Sequence, residues 1–98
     1  MGRFPREHRH TVTEHMASLA MQVHDALIAA RHASPELRGR HIERADVALD
    51  QLRQYALLAC EWHWWSEAQY GHFSKLSAQL GRLIGGWRRS VQRLPPGG

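Results

Sequence analysis

The sequence predicts an all-α fold, an antiparallel bundle of three long helices. It is rich in the helix formers Ala, Leu, Arg, Gln and Glu, and β-branched residues are few. Apolar residues also recur at steps of three and four along three segments, so each segment presents one apolar face when it is helical. A length of 98 residues suits one compact domain. We therefore assign residues 1–98 to a single helical-bundle domain.

The first helix is predicted over about residues 11–33. Thr11-Val-Thr-Glu14 has the spacing of a capping box, in which the hydroxyl and the carboxylate each accept a hydrogen bond from a free backbone amide. Pro35 predicts the end of this helix, because a proline disfavours helical geometry in the residue before it. The apolar stripe of this helix comprises Val12, Met16, Leu19, Val23, Ala26 or Leu27, and Ala30.

The second helix is predicted over about residues 40–62, after a linker at 34–39. Ser34 and Pro35 could also open a short helical turn within that linker. The apolar stripe of the second helix comprises Ile42, Ala45, Leu49, Leu52, Ala56 and Ala59. Its polar side carries Glu43, Arg44, Asp46, Asp50 and Arg53.

The third helix is predicted over about residues 67–92, and a second capping box, Ser66 to Gln69, precedes it. The prolines at 95 and 96 cannot continue a helix, so residues 94–98 are predicted to be a flexible tail. The apolar stripe of the third helix comprises Tyr70, Phe73, Leu76, Leu80, Leu83 or Ile84, Trp87 and Val91.

Glycines inside the third helix need a physical reason, because each costs about 1 kcal/mol relative to Ala in a helix interior. Gly81 and Gly85 are four residues apart and lie on one face, with Gly86 beside them. We predict a close-packing surface formed by these glycines and Trp87. The alternative is a kink or an early helix end at Gly85-Gly86.

Basic residues dominate the C-terminal third of the chain. Thirteen Lys and Arg stand against nine Asp and Glu, a formal net charge of +4, and no acidic residue follows Glu67. Arginine binds phosphate bidentately, so this imbalance favours an acidic partner such as nucleic acid. The candidate nucleic-acid-binding residues are Arg3, Arg6, Arg9, Lys75, Arg82, Arg88, Arg89 and Arg93.

Two of these assignments have structural alternatives. Lys75, Arg82 and Arg89 are seven residues apart and share one side of the helix, but such a row also serves as a plain solvated face. Arg82 could instead pair with Asp46 or Asp50.

Aromatic residues cluster at the predicted turn between the second and third helices. Trp62, Trp64, Trp65 and Tyr70 are candidate protein-interface residues, because Trp is a favoured anchor in interfaces. The tryptophans could equally complete the core of the bundle, and stacking on unpaired bases is a third possibility.

Nothing in the sequence predicts catalysis, a metal, a cofactor or a small-molecule substrate. Cys60 is the single cysteine, so no internal disulfide or paired-cysteine zinc site is possible. His8, His10 and His15 cluster, and Cys60 precedes His63, but neither set has the three or four compactly spaced ligands that zinc requires. No apolar run is long enough to span a membrane. These features predict a cytoplasmic protein.

Several short segments resemble one known family in their order and spacing. They are Phe4-Pro-Arg-Glu-His-Arg9, Leu49-Asp-Gln-Leu-Arg53, Tyr70 and Gly81-Arg-Leu-Ile-Gly-Gly-Trp87. The chain is similar to the accessory variability determinant (Avd) proteins of diversity-generating retroelements, within the bacterial four-helix-bundle family that includes ribosomal-RNA intervening-sequence proteins. The family usually has a helix before the Phe-Pro-Arg segment, and only Met1-Gly-Arg3 stand there in this sequence. The resemblance therefore implies a four-helix-bundle-like fold without the first family helix, either as a three-helix variant or because the start is truncated.

The resemblance also implies a function. Avd-like proteins are basic, non-catalytic homopentamers that bind a reverse transcriptase and its RNA, and they support mutagenic synthesis of cDNA. We therefore expect an accessory protein that binds reverse transcriptase and RNA or cDNA and that forms a homo-oligomer. The alternative is a structural oligomeric adaptor with no nucleic-acid role.

Overall fold

The computed structural model describes residues 8–92, and within them the chain forms three helices and no strand. The helices are α1 (His8–His32), α2 (Pro35–Glu61) and α3 (Glu67–Gln92). The predicted all-α bundle is therefore confirmed. None of these helices is both long and apolar enough to cross a bilayer. The predicted tail at 94–98 lies outside the described residues.

The central helix is α2, which packs against both α1 and α3. No Cα atom of α1 lies within 8 Å of one of α3, so the outer two helices do not pair with each other. Neighbouring helices run antiparallel, since Arg38 at the start of α2 contacts the end of α1, and Arg88 near the end of α3 contacts Glu43 near the start of α2.

The core follows the predicted stripes of α1 and α2. Within residues 8–92, fourteen apolar residues are buried, and nearly all of them belong to these two helices. From α3 only Ile84 joins the fully buried apolar set, which resolves the choice between Leu83 and Ile84. Leu76 was predicted to be in the core but is 50% exposed, and the next residue, Ser77, is buried instead. The face of α3 that meets α2 is thus rotated by one residue at this turn.

Helix α1 begins before the predicted capping box. Thr11 lies inside the helix, which already includes His8, so the predicted start at Thr11 is wrong. At the other end, Arg38 of α2 donates from Nε to the carbonyl of Ala30 and from Nη2 to the carbonyl of Ala33, both at 3.0 Å. Carbonyls at the end of a helix lack the amide four residues on that would pair them inside a helix, and these bonds supply donors to two of them. The Ala30 carbonyl also accepts a bond from the amide of Ala33 at 3.4 Å. The guanidinium places a positive charge at the negative end of the α1 dipole.

Helix α2 begins at Pro35, so most of the predicted linker is helical. Ser34 occupies the N-cap position with extended backbone, and proline suits the first helical position because the amide it lacks would be unpaired there. The helical turn considered for Ser34 and Pro35 is therefore the start of α2 itself.

The turn between α2 and α3 is a Schellman motif followed by a capping box. His63 has a positive φ of 63°; its amide bonds the carbonyl of Cys60, and the amide of Trp64 bonds that of Ala59. The amide of Ser66 donates to Oε1 of Gln69 at 2.8 Å, and the amide of Gln69 donates to Oγ of Ser66 at 3.1 Å. The second predicted capping box is confirmed.

Candidate nucleic-acid interface

One edge of α3 carries three exposed cations, Lys75, Arg82 and Arg89, which we call the basic edge. Seven-residue spacing places them on one side of a straight helix. Among the described residues, none of the three side chains forms a hydrogen bond or an ion pair. The charge of the basic edge is therefore uncompensated within residues 8–92.

Arg88 is engaged differently from its neighbour Arg89. Its Nη2 lies 2.6 Å from Oε1 of Glu43 and 2.9 Å from Oδ2 of Asp46. Asp46, which was considered as a partner for Arg82, thus pairs with Arg88. This ion pair joins α2 to α3 at the surface, and the charge of Arg88 is already balanced inside the chain.

Arg53 is a functional candidate that the sequence reasoning missed. It was assigned to the polar side of the second helix, but its side chain is partly buried and reaches across to α3. Nη2 donates to the backbone carbonyl of Ser77 at 2.9 Å, and Nε lies 3.5 Å from Oγ of Ser77. The hydroxyl of Ser77 in turn donates to the carbonyl of Ser74 at 3.1 Å.

Gly81 makes this contact possible. In an α-helix the residue four positions after a carbonyl lies directly above it, and here that residue is Gly81. A Cβ atom at Gly81 would lie 2.5 Å from Nη2 of Arg53, which is closer than atoms can approach. The missing side chain therefore opens the Ser77 carbonyl to the guanidinium. The sequence signal was present, because a glycine inside a helix is costly and a close neighbour is one physical reason to keep it.

The other two glycines do not contact another helix. A Cβ atom at Gly85 would meet only Nη1 of Arg89, at 3.6 Å, and one at Gly86 would meet only Nη2 of Arg89, at 3.8 Å. Helix α3 continues through both residues, so it does not end early there, and no atom of α2 lies within 4 Å of a Cβ at either position. Trp87 is half-buried and packs against the core.

The remaining basic residues that were predicted to bind nucleic acid are near the two ends of the chain. Arg9 is exposed at the start of α1, and its Nη2 lies 3.4 Å from the backbone carbonyl of Trp64. The predictions for Arg3, Arg6 and Arg93 fall outside the described residues. Within the described residues, Arg53 of α2 therefore lies beside the basic edge of α3. Arg9 lies apart from them, near the turn between α2 and α3.

The aromatic residues of the turn line the edge of the core. Trp64, Trp65 and Tyr70 are partly buried and pack against it. The rings of Trp62 and Trp64 meet edge to face at 5.4 Å, and the ring of Trp65 lies 5.6 Å from that of Phe73. This arrangement fits the interpretation that Trp64 and Trp65 complete the bundle, and all three tryptophans of the turn are partly buried.

Histidine and cysteine residues do not converge. Within residues 8–92 no three His, Cys, Asp or Glu side chains are placed to hold a metal ion together. His10 pairs with Glu14 on the surface of α1, and His15 packs edge to face on Tyr55. Cys60 is partly buried.

Comparison with known proteins identifies the family. A family model described as bAvd-like matches residues 1–91, which is nearly the whole chain. No curated protein and no solved structure matches the sequence. The matched region includes Arg53, Gly81 and the basic edge, as well as the segments on which the resemblance was based. The chain therefore belongs to the bAvd-like family.

Proposed function

We propose that this protein is a non-catalytic accessory subunit of a diversity-generating retroelement that binds reverse transcriptase and RNA or cDNA. Membership of the bAvd-like family supports the accessory role. The observation that carries the nucleic-acid part is the basic edge, because Lys75, Arg82 and Arg89 are exposed and have no partner among the described residues. We also propose a cytoplasmic location.

Electrostatics explains why such an edge suits nucleic acid. A row of lysine and arginine side chains can contact successive phosphate groups along a nucleic-acid backbone. Such contacts release condensed counterions, so the affinity depends strongly on the salt concentration. Glu67, the first residue of α3, carries the only carboxylate side chain of that helix, and no acidic residue follows it to oppose a phosphate. The accessory protein would hold template or product in place while the polymerase performs the chemistry.

Contacts with protein partners have a different basis. Leu76 and Leu83 of α3 are 50% and 61% exposed, so they lie outside the buried face of α3 and leave apolar surface accessible to a partner. An apolar groove of about 550 Å³ adjoins Leu76 at the turn. Its lining consists of Trp65, Ala68, Gln69, His72, Phe73 and Leu76. We propose that this side of α3 contacts other copies of the chain, as in the pentamers of the family, or the reverse transcriptase.

The nucleic-acid part is tested by titrating labelled single-stranded RNA at increasing salt. The logarithm of the affinity should fall linearly with the logarithm of the salt concentration. Changing Lys75, Arg82 and Arg89 together to Ala should lower the slope by about 2, since each lost phosphate contact removes about 0.7 for a single strand. Binding that ignores salt, or no binding at low salt, would contradict the proposal.

A matched control removes the same charge elsewhere. Arg31, Arg40 and Arg44 are exposed on α1 and α2, and their triple change to Ala alters the net charge equally. We expect this control to retain most of the salt dependence. An equal loss in both triple variants would mean that net charge alone, and no particular edge, attracts the RNA.

The alternative function is a structural adaptor that assembles through its helices and does not bind nucleic acid. The exposed Leu76 and Leu83 favour it, because they suit protein contacts and carry no charge. It predicts that the triple variant of the basic edge binds the reverse transcriptase as well as the wild type does. Light scattering and co-purification with the reverse transcriptase check that assembly is intact. The salt titration of RNA binding by the wild type separates the two functions, because the adaptor predicts no binding at low salt.

A further inference from the structure

A polar groove between α2 and α3 brings three arginines around a glycine floor. Its volume is about 560 Å³. It is lined by Asp46, Arg53, Ala78, Gly81, Arg82, Gly85 and Arg89. Three guanidinium groups therefore face one carboxylate, and Asp46 already pairs with Arg88 outside the groove. The groove is suited to an anion.

The two glycines of the floor position two of the guanidinium groups. Nη2 of Arg53 lies over Gly81, and Nη1 of Arg89 lies over Gly85, as the short distances to a Cβ at each position show. Gly81 and Gly85 are one helical turn apart, about 5.4 Å along the axis. The guanidinium groups of Arg53 and Arg89 thus lie above successive turns of α3, with no β-carbon between them and the backbone.

Arg53 is the fixed member of this set. The bonds from Nη2 and Nε to Ser77 hold its guanidinium in place before any ligand arrives. A guanidinium has five N–H donors, so those on Nη1 remain for a ligand. Arg82 and Arg89 are exposed and have no partner in the described part of the chain, which leaves them free to close over an anion.

We propose that this groove is a specific binding site for a backbone phosphate of the bound nucleic acid, which we call the phosphate site. Arg53 is its preorganised ligand, and Arg82 and Arg89 complete it. This inference rests on the proposed nucleic-acid function. Planar guanidinium groups bind phosphate oxygens bidentately, and Lys75 continues the row of charge along α3 for the neighbouring phosphates. The glycine floor gives the tetrahedral group room that side chains would occupy.

The test alters the phosphate site without changing the net charge of the protein. Gly81→Ala places a methyl group where Arg53 now lies, so the guanidinium must move. We expect this variant to bind a single-stranded oligouridylate about tenfold more weakly, which corresponds to one lost charge-assisted hydrogen bond. Gly71→Ala is the matched control, because no atom lies within 4 Å of a Cβ there, and its affinity should equal that of the wild type.

A second variant keeps the test decisive if Gly81→Ala perturbs folding. Arg53→Lys retains the charge and removes the planar fork, so it should weaken RNA binding to a similar extent. The control Arg44→Lys makes the same exchange at an exposed position of α2 and should have no effect. Circular dichroism at the binding temperature verifies that each variant is helical.

The outcomes separate this inference from the proposed function. If both Gly81→Ala and Arg53→Lys keep the wild-type affinity for RNA and its salt dependence, the phosphate site is refuted and the proposed function stands. No salt-dependent RNA binding by the wild type would end both.

Two further ligands distinguish the source of the anion. An oligoglutamate of equal charge should bind more weakly and show little dependence on Gly81; an equal loss for both polymers would mean that the groove serves acidic proteins. Saturation of the Arg53 side-chain NMR signal by inorganic phosphate, at concentrations where RNA still binds fully, would also overturn the proposal.

Discussion

The contact between Arg53 and Gly81 yields a stability prediction that separates it from ordinary helix propensity. Replacing an exposed glycine by alanine inside a helix normally stabilises a protein by about 1 kcal/mol. Gly71→Ala should do so, because its Cβ meets nothing within 4 Å. Gly81→Ala gains the same propensity but displaces Arg53, whose Nη2 would be 2.5 Å from the new atom.

The magnitude follows from the bond that is lost. A hydrogen bond to a charged group stabilises by about 1.5–3 kcal/mol, and the partial exposure of Arg53 argues for the lower value. Subtracting the gain in propensity leaves Gly81→Ala destabilised by about 0.5 kcal/mol. The two alanine variants should therefore differ by about 1.5 kcal/mol, or about 6–12 °C in Tm for a domain of this size.

Urea denaturation followed by circular dichroism measures these differences, and a double-mutant cycle assigns them. In an Arg53→Ala background there is no guanidinium to displace, so Gly81→Ala should stabilise as much as Gly71→Ala does. Equal stabilisation by the two glycine changes in the otherwise unaltered chain would refute the contact and the reasoning built on it.

Three other predictions concern the turn and the surface ion pair. His63→Gly should raise the free energy of unfolding by up to about 1 kcal/mol, because glycine adopts the positive φ at the end of α2 without strain. The control His72→Gly, inside α3, should lower the free energy of unfolding by about 1 kcal/mol. A lower free energy of unfolding in both variants would contradict the turn geometry. Ser66→Ala should cost about 1 kcal/mol through the capping box, measured by thermal denaturation against Ser90→Ala, and equal effects would argue against the cap. Arg88→Ala should lower the free energy of unfolding by less than about 1 kcal/mol, since its ion pairs are at the surface. It should also leave the salt dependence of RNA binding unchanged. If the slope of affinity against salt falls as much as it does for Arg89→Ala, Arg88 contacts phosphate.

Local signals in the sequence predicted most of the fold. Apolar residues at steps of three and four identified the buried faces of α1 and α2, because burial of one stripe is a property of a single helix. The capping box at Ser66 was also readable, since all of its bonds lie within four residues. The box at Thr11 had the same spacing and does not form, because α1 already includes the turn before it. Spacing shows that a cap is possible, and the path of the preceding chain decides whether it is used.

The candidate site was only partly predictable. Exposure of Lys75, Arg82 and Arg89 agrees with a charged row on one side of a helix, as the seven-residue spacing indicates. The spacing could not distinguish Arg88 from Arg89, although Arg88 is paired and Arg89 has no partner in the part of the chain that the structure describes. That difference depends on where Glu43 and Asp46 lie across the interface between α2 and α3.

The three helices, the buried stripes of α1 and α2 and the excess of positive charge near the C-terminus follow from the amino-acid sequence, because each depends on residues close together in the chain. The packing of α3 on α2 decides that Ser77 is buried instead of Leu76 and that Arg53 reaches α3 over Gly81. Those facts depend on the relative rotation of two helices. A rotation by one residue changes which side chains meet across an interface without changing the periodicity of either helix.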